Sequence, residues 1–297
     1  MSKNFTVLGI NAGHDAGAAI VKNGKILAAI NEERIRNIKH YNGIPEKSIQ
    51  EVIKIAKIEP SEIDLISIVG INNMGDVDPP FEAPYYLQLF YDYNSFSTNT
   101  GKKQSNQTYL NKIRNITKIQ NILEKLMIPQ NEIMFCEHHL AHAATAYYLS
   151  PWGFEQEVLI ITADAAGDGL SSTVSIGHRG KISRIENSES NYYDSVGYCF
   201  YGQITKFLGM KINDHEYKVM GLAPYGNPIL TIDKMKEIID IDENNPLKFK
   251  NKMGSFHPNI QQTFWKLLGD QRFDNIAAGA QEWFERRGET MTPLRLP

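Results

Sequence analysis

The sequence predicts an α/β fold in which a three-stranded β-meander occurs twice. Three short apolar runs open the chain: Val7 to Asn11, Gly17 to Val21 and Lys25 to Asn31. The last two are joined by Lys22-Asn23-Gly24, and an Asn-Gly pair between apolar runs is a strong signal for a two-residue hairpin turn. We therefore expect an antiparallel meander at the start of the chain.

The same pattern returns after the turn residues Ser150-Pro151-Trp152-Gly153. The runs Glu157 to Thr162, Leu170 to Ile176 and Lys181 to Ile185 each have the length and composition of a strand. The turn His178-Arg179-Gly180 links the last two. The two halves have no obvious sequence repeat. The order of their elements is nevertheless the same, with a glycine-containing turn after the first strand in each half.

Helices and further strands are predicted between the two meanders. Pro45 to Lys57 has an apolar face at helical spacing, and Pro45 suits the first turn of a helix. That face is made of Ile49, Val52, Ile53, Ile55 and Ala56. The other predicted elements are the strands Leu65 to Val69 and Ile133 to Phe135, and the helices Tyr109 to Leu126, His138 to Leu149 and Asn275 to Phe284.

Duplicated meanders with helices on one or both faces are typical of the actin and sugar-kinase architecture, which includes Hsp70 and is RNase H-like. In it a nucleotide lies between two related halves. We expect a first actin-like subdomain over residues 1–153 and a second, incomplete one over 154–297. Residues 72–108 lack a clear period and predict a long insertion, either an ordered substrate-facing loop or a surface excursion packed by its own aromatic side chains.

Composition and charge exclude several classes of protein. The formal net charge is −3 over 297 residues, which does not suggest a nucleic-acid or anionic-membrane surface. No apolar run approaches the roughly 18 residues that a membrane helix needs, and the N-terminus enters a strand pattern at once. Only Cys136 and Cys199 occur, so a disulfide framework is excluded and a reducing cytoplasm fits.

The first turn that could carry chemistry is Asn11-Ala12-Gly13-His14-Asp15-Ala16-Gly17. Glycines allow close approach of the backbone to a ligand, and exposed amides in such a turn can hold an anion. His14 adds a group that can act as a general base or donate to an oxyanion. On this segment alone, the favoured interpretation is a turn histidine beside a turn aspartate with no chemical role.

The second turn is Thr162-Ala163-Asp164-Ala165-Ala166-Gly167-Asp168-Gly169. An aspartate at the end of a buried strand, before a glycine turn, commonly presents its carboxylate to a metal or a phosphate-bound cation. The alternative is a hairpin in which Asp164 has only the usual turn role.

His138 and His142 are four residues apart in a predicted helix. This spacing places both rings on one face, about 6 Å apart along the axis, which suits a single metal ion. We expect His139 to point elsewhere, to solvent or the helix N-terminus. Such a pair is more often incidental than ligating. A third ligand is needed, and Asp164 is the candidate, giving a set of two histidines and one carboxylate that suits Fe(II), Mn(II) or Zn(II).

A fourth segment runs from Asp214 to Gly226. Its Glu216, Lys218 and Gly221 backbone could contact a nucleotide, although on this segment alone an ordinary helix ended by Pro224 and Gly226 is the favoured interpretation.

Together these segments resemble the O-carbamoyltransferase family that includes nodulation-factor, cephalosporin and aminoglycoside carbamoyltransferases. The resemblance runs from about Val7 to about Phe284. The matching stretches are Leu8 to Ala19, Asn31-Glu32-Glu33-Arg34 with Lys39-His40, His138 to Ala143, Asp164 to Gly169, and Tyr217 to Gly226.

The resemblance implies a fold related to the tRNA threonylcarbamoyl-transferring enzymes, and two half-reactions. Carbamoyl phosphate and ATP give carbamoyl-adenylate, and the carbamoyl group then passes to a hydroxyl of a small acceptor. It further implies that His138, His142 and Asp164 hold an iron-type metal and that His14 activates the acceptor hydroxyl or steadies the carbamoyl oxygen. The implied cofactor-binding residues are Asn11, Gly13, Lys39, Gly167, Gly169, Glu216, Lys218 and Gly221.

The chain also departs from this family pattern. Members continue with another glycine-rich nucleotide segment, a further acidic metal ligand and a second domain in which the adenylate is made. We therefore expect a truncated chain that holds most of the metal site but does not complete the reaction alone. A tRNA-modifying transferase and a non-catalytic nucleotide- or metal-binding module remain as alternatives, and the near-neutral charge counts against the tRNA branch.

Overall fold

The computed structural model describes residues 4–69, 116–130, 132–253 and 260–291. The predicted insertion over 72–108, and residues 109–115 of a predicted helix, lie outside the described residues. The chain divides into two compact units, Met1–Ala141 and His142–Pro297. The second unit begins earlier than the predicted subdomain at residue 154, because Ala143 and Tyr147 pack with Ile160 in a small core of that unit.

The first unit is built on a five-stranded mixed sheet with the order β3-β2-β1-β4-β5. β1, β2 and β3 form the antiparallel meander, whereas β4 pairs in parallel with both β1 and β5. The strands are β1 (Thr6–Asn11), β2 (Gly17–Lys22), β3 (Lys25–Asn31), β4 (Leu65–Val69) and β5 (Ile133–Cys136). Its helices are α1 (Glu32–Arg36), α2 (Glu46–Ala56) and α3 (residues 116–125).

Alternation of apolar residues explains the core of this unit. In β1, Leu8 and Ile10 are buried, as the period of two along a strand requires, and Ile49 and Val52 of α2 join the same core. The prediction that Ile55 lies on the apolar face of α2 is wrong, since its side chain is half exposed. At about 100° per residue Ile55 lies about 120° around the helix from Ile49, outside the buried stripe that Ile49, Val52, Ile53 and Ala56 form.

The second unit carries the repeated meander. β6, β7 and β8 pair antiparallel, and β9 pairs with β7. Helices pack around Val174, Phe200, Phe264 and Trp283. The strands are β6 (Val158–Gly167), β7 (Leu170–His178), β8 (Lys181–Arg184), β9 (Ser190–Asn191) and the separate ribbon β10 (Ile239–Asp242) and β11 (Asn245–Asn251). Helix α4 (His138–Tyr148) begins in the last residues of the first unit and continues into the second. The helices that follow are a π-helix (Val196–Gly202), α5 (Gln203–Phe207), α6 (Glu216–Leu222), α7 (Ile232–Ile238), α8 (Ile260–Leu268) and α9 (Phe273–Met291).

The predicted α/β class with two β-meanders is confirmed by these sheets, and the mixed sheet of the first unit agrees with the actin-like class. The Asn23-Gly24 hairpin is confirmed as well, since both residues adopt the positive φ that this turn needs (52° and 77°). Among the helices of the described ranges, none has the length and apolar character needed to cross a membrane.

A buried carboxylate ties the helices of the first unit together. Glu32 begins α1 and is 0% exposed. Its Oε1 accepts from Arg36 Nε (2.6 Å) and the Lys47 amide (3.2 Å), and its Oε2 accepts from the amide and the hydroxyl of Ser48 (2.7 Å each). Burial alone would raise the pKa of Glu32, but these hydrogen bonds outweigh it and lower the pKa below its ordinary value.

We predict that Glu32→Gln lowers the free energy of unfolding by about 1.5–3 kcal/mol at pH 7, because hydrogen bonds to a charged acceptor are weakened. A carboxylate whose pKa is lower in the folded state stabilises above its unfolded pKa, and this contribution disappears as pH falls through the folded pKa. Urea titrations at several pH values should therefore show the two proteins converging in acid. Glu51→Gln, which removes an exposed partner of Lys54 on α2, should change little.

Candidate functional site

Asp164 lies in a bulge inside β6. β6 pairs with β7 up to Ala163 and again at Gly167, so the residues between them leave the ladder. The prediction of a turn over residues 162–169 is therefore wrong in extent, since the turn proper is Asp168-Gly169, with φ of 52° and 81°. A bulge gives a side chain a different direction from the one that regular pleating would give it. The bulge in β6 changes the direction of the Asp164 side chain in this way.

The π-helix after β9 holds this bulge in shape. The Ser195 hydroxyl caps the helix by accepting from the Tyr198 amide (3.0 Å), and it lies 3.1 Å and 2.7 Å from the carbonyl oxygens of Asp164 and Ala165. A Cβ on Gly197 would stand 3.0 Å from the Ala165 nitrogen, so any larger residue would have to push the two backbones apart. Ser195 and Gly197 were not predicted from the sequence.

Helix α4 presents His138 and His142 one turn apart, as the four-residue spacing predicts. His142 Nε2 lies 3.3 Å from Asp164 Oδ2. The helix is continuous from His138 onward, and one ligand atom from each of the three residues lies within 4.8 Å of the others. Two bonds of about 2.0–2.2 Å to one metal ion place their ligand atoms about 3 Å apart, so the His142–Asp164 distance fits a shared ion.

The expectation that His139 points to solvent is wrong, because its side chain is 0% exposed. The helix N-terminus is capped by Glu137, whose two carboxylate oxygens accept from the amides of His139 (2.7 Å) and Leu140 (2.9 Å). Such a cap satisfies amides that have no partner within the helix. Its effect is to fix where α4 begins, and hence where His138 stands.

The first turn is closed by the loop that follows α1. The amide and carbonyl groups of Gly13 pair with those of Gly43 (2.9 and 3.0 Å), and the Ala16 amide donates to the Tyr41 carbonyl (3.1 Å). The expectation of exposed amides is therefore wrong for Gly13 and Ala16. The Asn11 side chain also turns inward, since its Nδ2 donates to the carbonyls of His14 and Asp15 (3.2 Å each).

This closure assembles a cluster of His14, Asp15 and His40. Nδ1 of His14 lies 2.8 Å from one Asp15 oxygen, and Nδ1 of His40 lies 3.1 Å from the other. The two rings stack with centroids 5.5 Å apart. Sequence reasoning singled out His14 alone. The Lys39-His40 pair belonged to the resemblance, but nothing in the sequence indicated that His40 contacts Asp15.

A cleft of about 570 Å³ opens beside the cluster, at the ends of β1 and β4. Its polar lining includes Asn11, Asp15, Asn31 and Arg34. Arg34 and Asn31 were part of the matching stretches but were not predicted as site residues. A carboxylate, two amides and a guanidinium in one cleft can bind a small molecule that carries both negative charge and polar hydrogens.

The other predicted cofactor-binding residues occupy exposed or structural positions. Gly167 ends β6, and Gly169 lies in the β6–β7 turn. Glu216 begins α6 and accepts from the Asn213 amide (2.7 Å), while Lys218 and Gly221 are exposed on the same helix. Lys39 is exposed beside His40.

Cys199 is unsuited to nucleophilic catalysis. It is buried, its thiol lies 3.1 Å from the Tyr192 carbonyl, and burial raises its pKa to about 12. A thiol in this state stays protonated near neutral pH and is a structural residue.

The described residues thus form an α/β protein with a β-meander in each unit, a group of two histidines with one carboxylate, and a histidine cluster beside a cleft. Comparison with known proteins then gives the family. Residues 6–286 match the family model described as Carbamoyltransferase N-terminus, and the chain belongs to that carbamoyltransferase family.

Several relatives align over most of the chain. The nodulation protein NolNO of Sinorhizobium fredii is 29% identical over 92% of this chain and 37% of its own length. Uncharacterized proteins of Methanocaldococcus jannaschii (29% identical) and Synechocystis (32% identical) cover 88% and 90% of the chain, and 40% and 42% of themselves. The chain thus spans about two fifths of the length of these relatives.

Among solved structures, one described as an N-acetylglucosamine kinase from Porphyromonas gingivalis overlaps 97% of this chain and 76% of its own. The sequence identity is 10% and the TM-score is 0.32, which is too low to carry an argument.

We predict that Gly197→Ala destabilises the second unit by about 1–3 kcal/mol, because the new Cβ must push the π-helix away from the β6 bulge. Gly221→Ala is the matched control, since a Cβ there meets open space on an exposed helix face, and it should stabilise by about 0.5–1 kcal/mol. Thermal and urea unfolding measure both changes. Equal effects of the two substitutions would contradict the close backbone approach at Gly197.

Proposed function

We propose that the protein carrying this chain transfers a carbamoyl group from carbamoyl phosphate, through carbamoyl-adenylate made with ATP, to a hydroxyl of a small-molecule acceptor. The observation that carries the proposal is the convergence of His138, His142 and Asp164 from separate segments of a carbamoyltransferase-family chain. The resemblance assigned these same residues to a metal that holds the adenylate.

The donor set supports a first-row divalent metal, with Fe(II) favoured and Mn(II) or Zn(II) as alternatives. Two imidazoles and one carboxylate leave coordination positions open for a substrate oxygen or a further protein ligand. When bound, the metal would supply positive charge to the adenylate phosphate. Asp164 Oδ1 accepts from the Ala165 amide (2.6 Å), and this bond leaves Oδ2 directed at His142.

His14 suits the transfer step. A hydroxyl is a weak nucleophile, so a base that works near neutral pH accelerates its attack. In the proposed step the acceptor oxygen bonds to the carbamoyl carbon, the bond from that carbon to the AMP oxygen breaks, and His14 takes the hydroxyl proton. The His14 side chain is 57% exposed, so a bound acceptor can reach it.

The cleft beside the His14 cluster supports a small polar substrate rather than a nucleic acid. Its volume is about 570 Å³, within the range of small-molecule sites. The net charge of −3 does not provide the positive surface that a phosphate backbone needs.

The predicted nucleotide contacts, Gly167, Gly169, Glu216, Lys218 and Gly221, remain part of the proposal, as do Asn11, Gly13 and Lys39.

We predict that the chain binds about one Fe(II) or Mn(II) per molecule, and that His138→Ala, His142→Ala or Asp164→Ala each weakens binding at least as much as the roughly 10–100-fold typical of losing an outer-shell partner. Anaerobic calorimetry and elemental analysis measure this. His178→Ala is the control, since that ring is partly exposed beside Glu157 (3.9 Å). Metal content unchanged in all three variants would defeat the assignment.

We predict that His14→Ala lowers transfer from radiolabelled carbamoyl phosphate to a panel of hydroxylated sugars and aminoglycosides by about 10²–10⁴-fold, the usual contribution of a general base. The assay needs the protein in which this chain occurs together with ATP. Metal content and ATP binding should stay at the wild-type level, because the substitution removes only the exposed base. Full transfer by the variant would remove His14 from the chemistry.

A further inference from the structure

We propose that a pocket beside the loop between α1 and α2 binds a small anionic molecule, and that this ligand stabilises the closure of the first turn by that loop. The pocket has a volume of about 380 Å³ and lies wholly within the first unit. It is distinct from the cleft beside the His14 cluster, since the two have no lining residue in common. The inference goes beyond the proposed function and can be tested without any transfer activity.

The pocket is enclosed by a helix on one side and the loop on the other. Helix α3 contributes Lys118, Asn121 and Ile122, which a spacing of three and four residues places on one face. Arg36, the last residue of α1, and Tyr41 of the loop line the opposite side. The pocket therefore combines two cationic groups, an amide and an aromatic ring in a volume suited to a small molecule.

The Arg36 side chain is held in place before any ligand binds. Its Nε donates to Glu32 Oε1 (2.6 Å), and its guanidinium carbon lies 5.1 Å from the centroid of the Tyr41 ring. The bond to Glu32 uses the Nε proton, and the two Nη atoms carry further N–H groups that can meet an acceptor. A guanidinium fixed in this way loses little freedom when it binds an anion, which favours affinity.

The charges around the pocket favour a negatively charged ligand. Arg36 is balanced by the buried Glu32, and Glu46, a carboxylate of the pocket wall, is balanced by Lys125 (2.7 Å). Lys118 adds a further positive charge, and its ammonium forms no ion pair with the carboxylates that the structure describes. The pocket thus carries one uncompensated positive charge.

The expected ligand has phosphate or carboxylate oxygens on a small apolar body. Anionic oxygens match the guanidinium of Arg36 and the ammonium of Lys118 through charge-assisted hydrogen bonds. The apolar body suits Ile44 and Ile122, which line the pocket and pack against the core of the first unit.

The loop that lines the pocket also closes the first turn. The Tyr41 carbonyl accepts from the Ala16 amide (3.1 Å), and Gly43 exchanges two backbone hydrogen bonds with Gly13 (2.9 and 3.0 Å). Both Tyr41 and Gly43 line the pocket. A ligand that contacts them binds the closed loop better than an open one, so it shifts the population toward the closed form. The same loop carries His40, so the ligand also favours the assembled histidine cluster.

Binding is tested with phenyl phosphate as the probe, followed by amide shifts in ¹⁵N-labelled chain. We expect a Kd of about 1 mM or tighter, with shifts at Lys118 and Asn121. Lys118→Glu should weaken binding at least about tenfold, since a hydrogen bond between charged groups contributes about this much or more, and Lys118→Gln should weaken it less. Lys54→Glu is the matched control, because it makes the same charge change at an exposed residue of α2 outside the pocket.

Two further probes identify the chemistry that the pocket recognises. Benzoate carries a carboxylate in place of the phosphate, and the anion that binds more tightly assigns the ligand to phosphate esters or to carboxylates. Benzyl alcohol has a similar apolar body without charge. If benzyl alcohol binds as tightly as the two anions, the proposal of an anion site is overturned.

Coupling to the first turn is tested by amide hydrogen exchange. With phenyl phosphate at about ten times its Kd, exchange at the amides of Gly13, Ala16 and Gly43 should slow about tenfold, which is the factor by which the ligand disfavours opening. The Asn23 amide, which donates to the Phe5 carbonyl (2.9 Å) at the other end of the hairpin, is the control and should not change.

Three other results overturn the inference. The first is no binding of either anion at about 10 mM, which is tenfold above the expected Kd. The second is binding that survives Lys118→Glu but is lost in Arg34→Gln, because the probe then occupies the cleft beside the His14 cluster. The third is binding in the pocket with unchanged exchange at all three amides, which removes the coupling. Each readout concerns the pocket alone, so a failure of the proposed carbamoyl transfer would be seen separately.

Discussion

The geometry of the first unit depends on one buried carboxylate. Glu32 binds the last turn of α1 through Arg36 and the first turn of α2 through Lys47 and Ser48, so it fixes both ends of the loop between these helices. That loop carries His40 and Gly43 onto the β1–β2 turn. A buried charge is tolerated only when its hydrogen bonds are complete, and here completing them also determines where the loop lies relative to His14.

In the second unit, contacts to backbone groups rather than a buried charge position a side chain of the candidate site. Asp164 would follow the pleat of β6 if the strand were regular, but the bulge and the Ser195 hydroxyl redirect it. π-helices are rare and often occur at functional sites. Here the π-helix brings Gly197 against the bulge, so its irregular winding and the position of the carboxylate depend on each other.

The regular helices, strands and turns could be predicted from the sequence because their determinants act between residues that are close together in the chain. The Asn23-Gly24 turn, the alternation in β1 and the four-residue spacing of His138 and His142 each follow from backbone geometry alone. The bulge was not predicted, because Asp164 is held by a serine 31 residues later in the chain. The turn amides were misjudged for the same reason, since their partners lie in a loop that the turn sequence does not contain.

The two histidine groups differ in what their spacing can reveal. A pair on one helix is visible in sequence because the helix fixes the distance between its members. His14 and His40 lie on different loops, and only the carboxylate between them brings their Nδ1 atoms to one point. The contacts also differ in chemistry: Asp164 meets Nε2 of His142, whereas Asp15 meets Nδ1 of both its histidines. Under the proposed function the pair on α4 serves metal ligation and the exposed His14 serves proton transfer, so the same residue type fills two different roles in one chain.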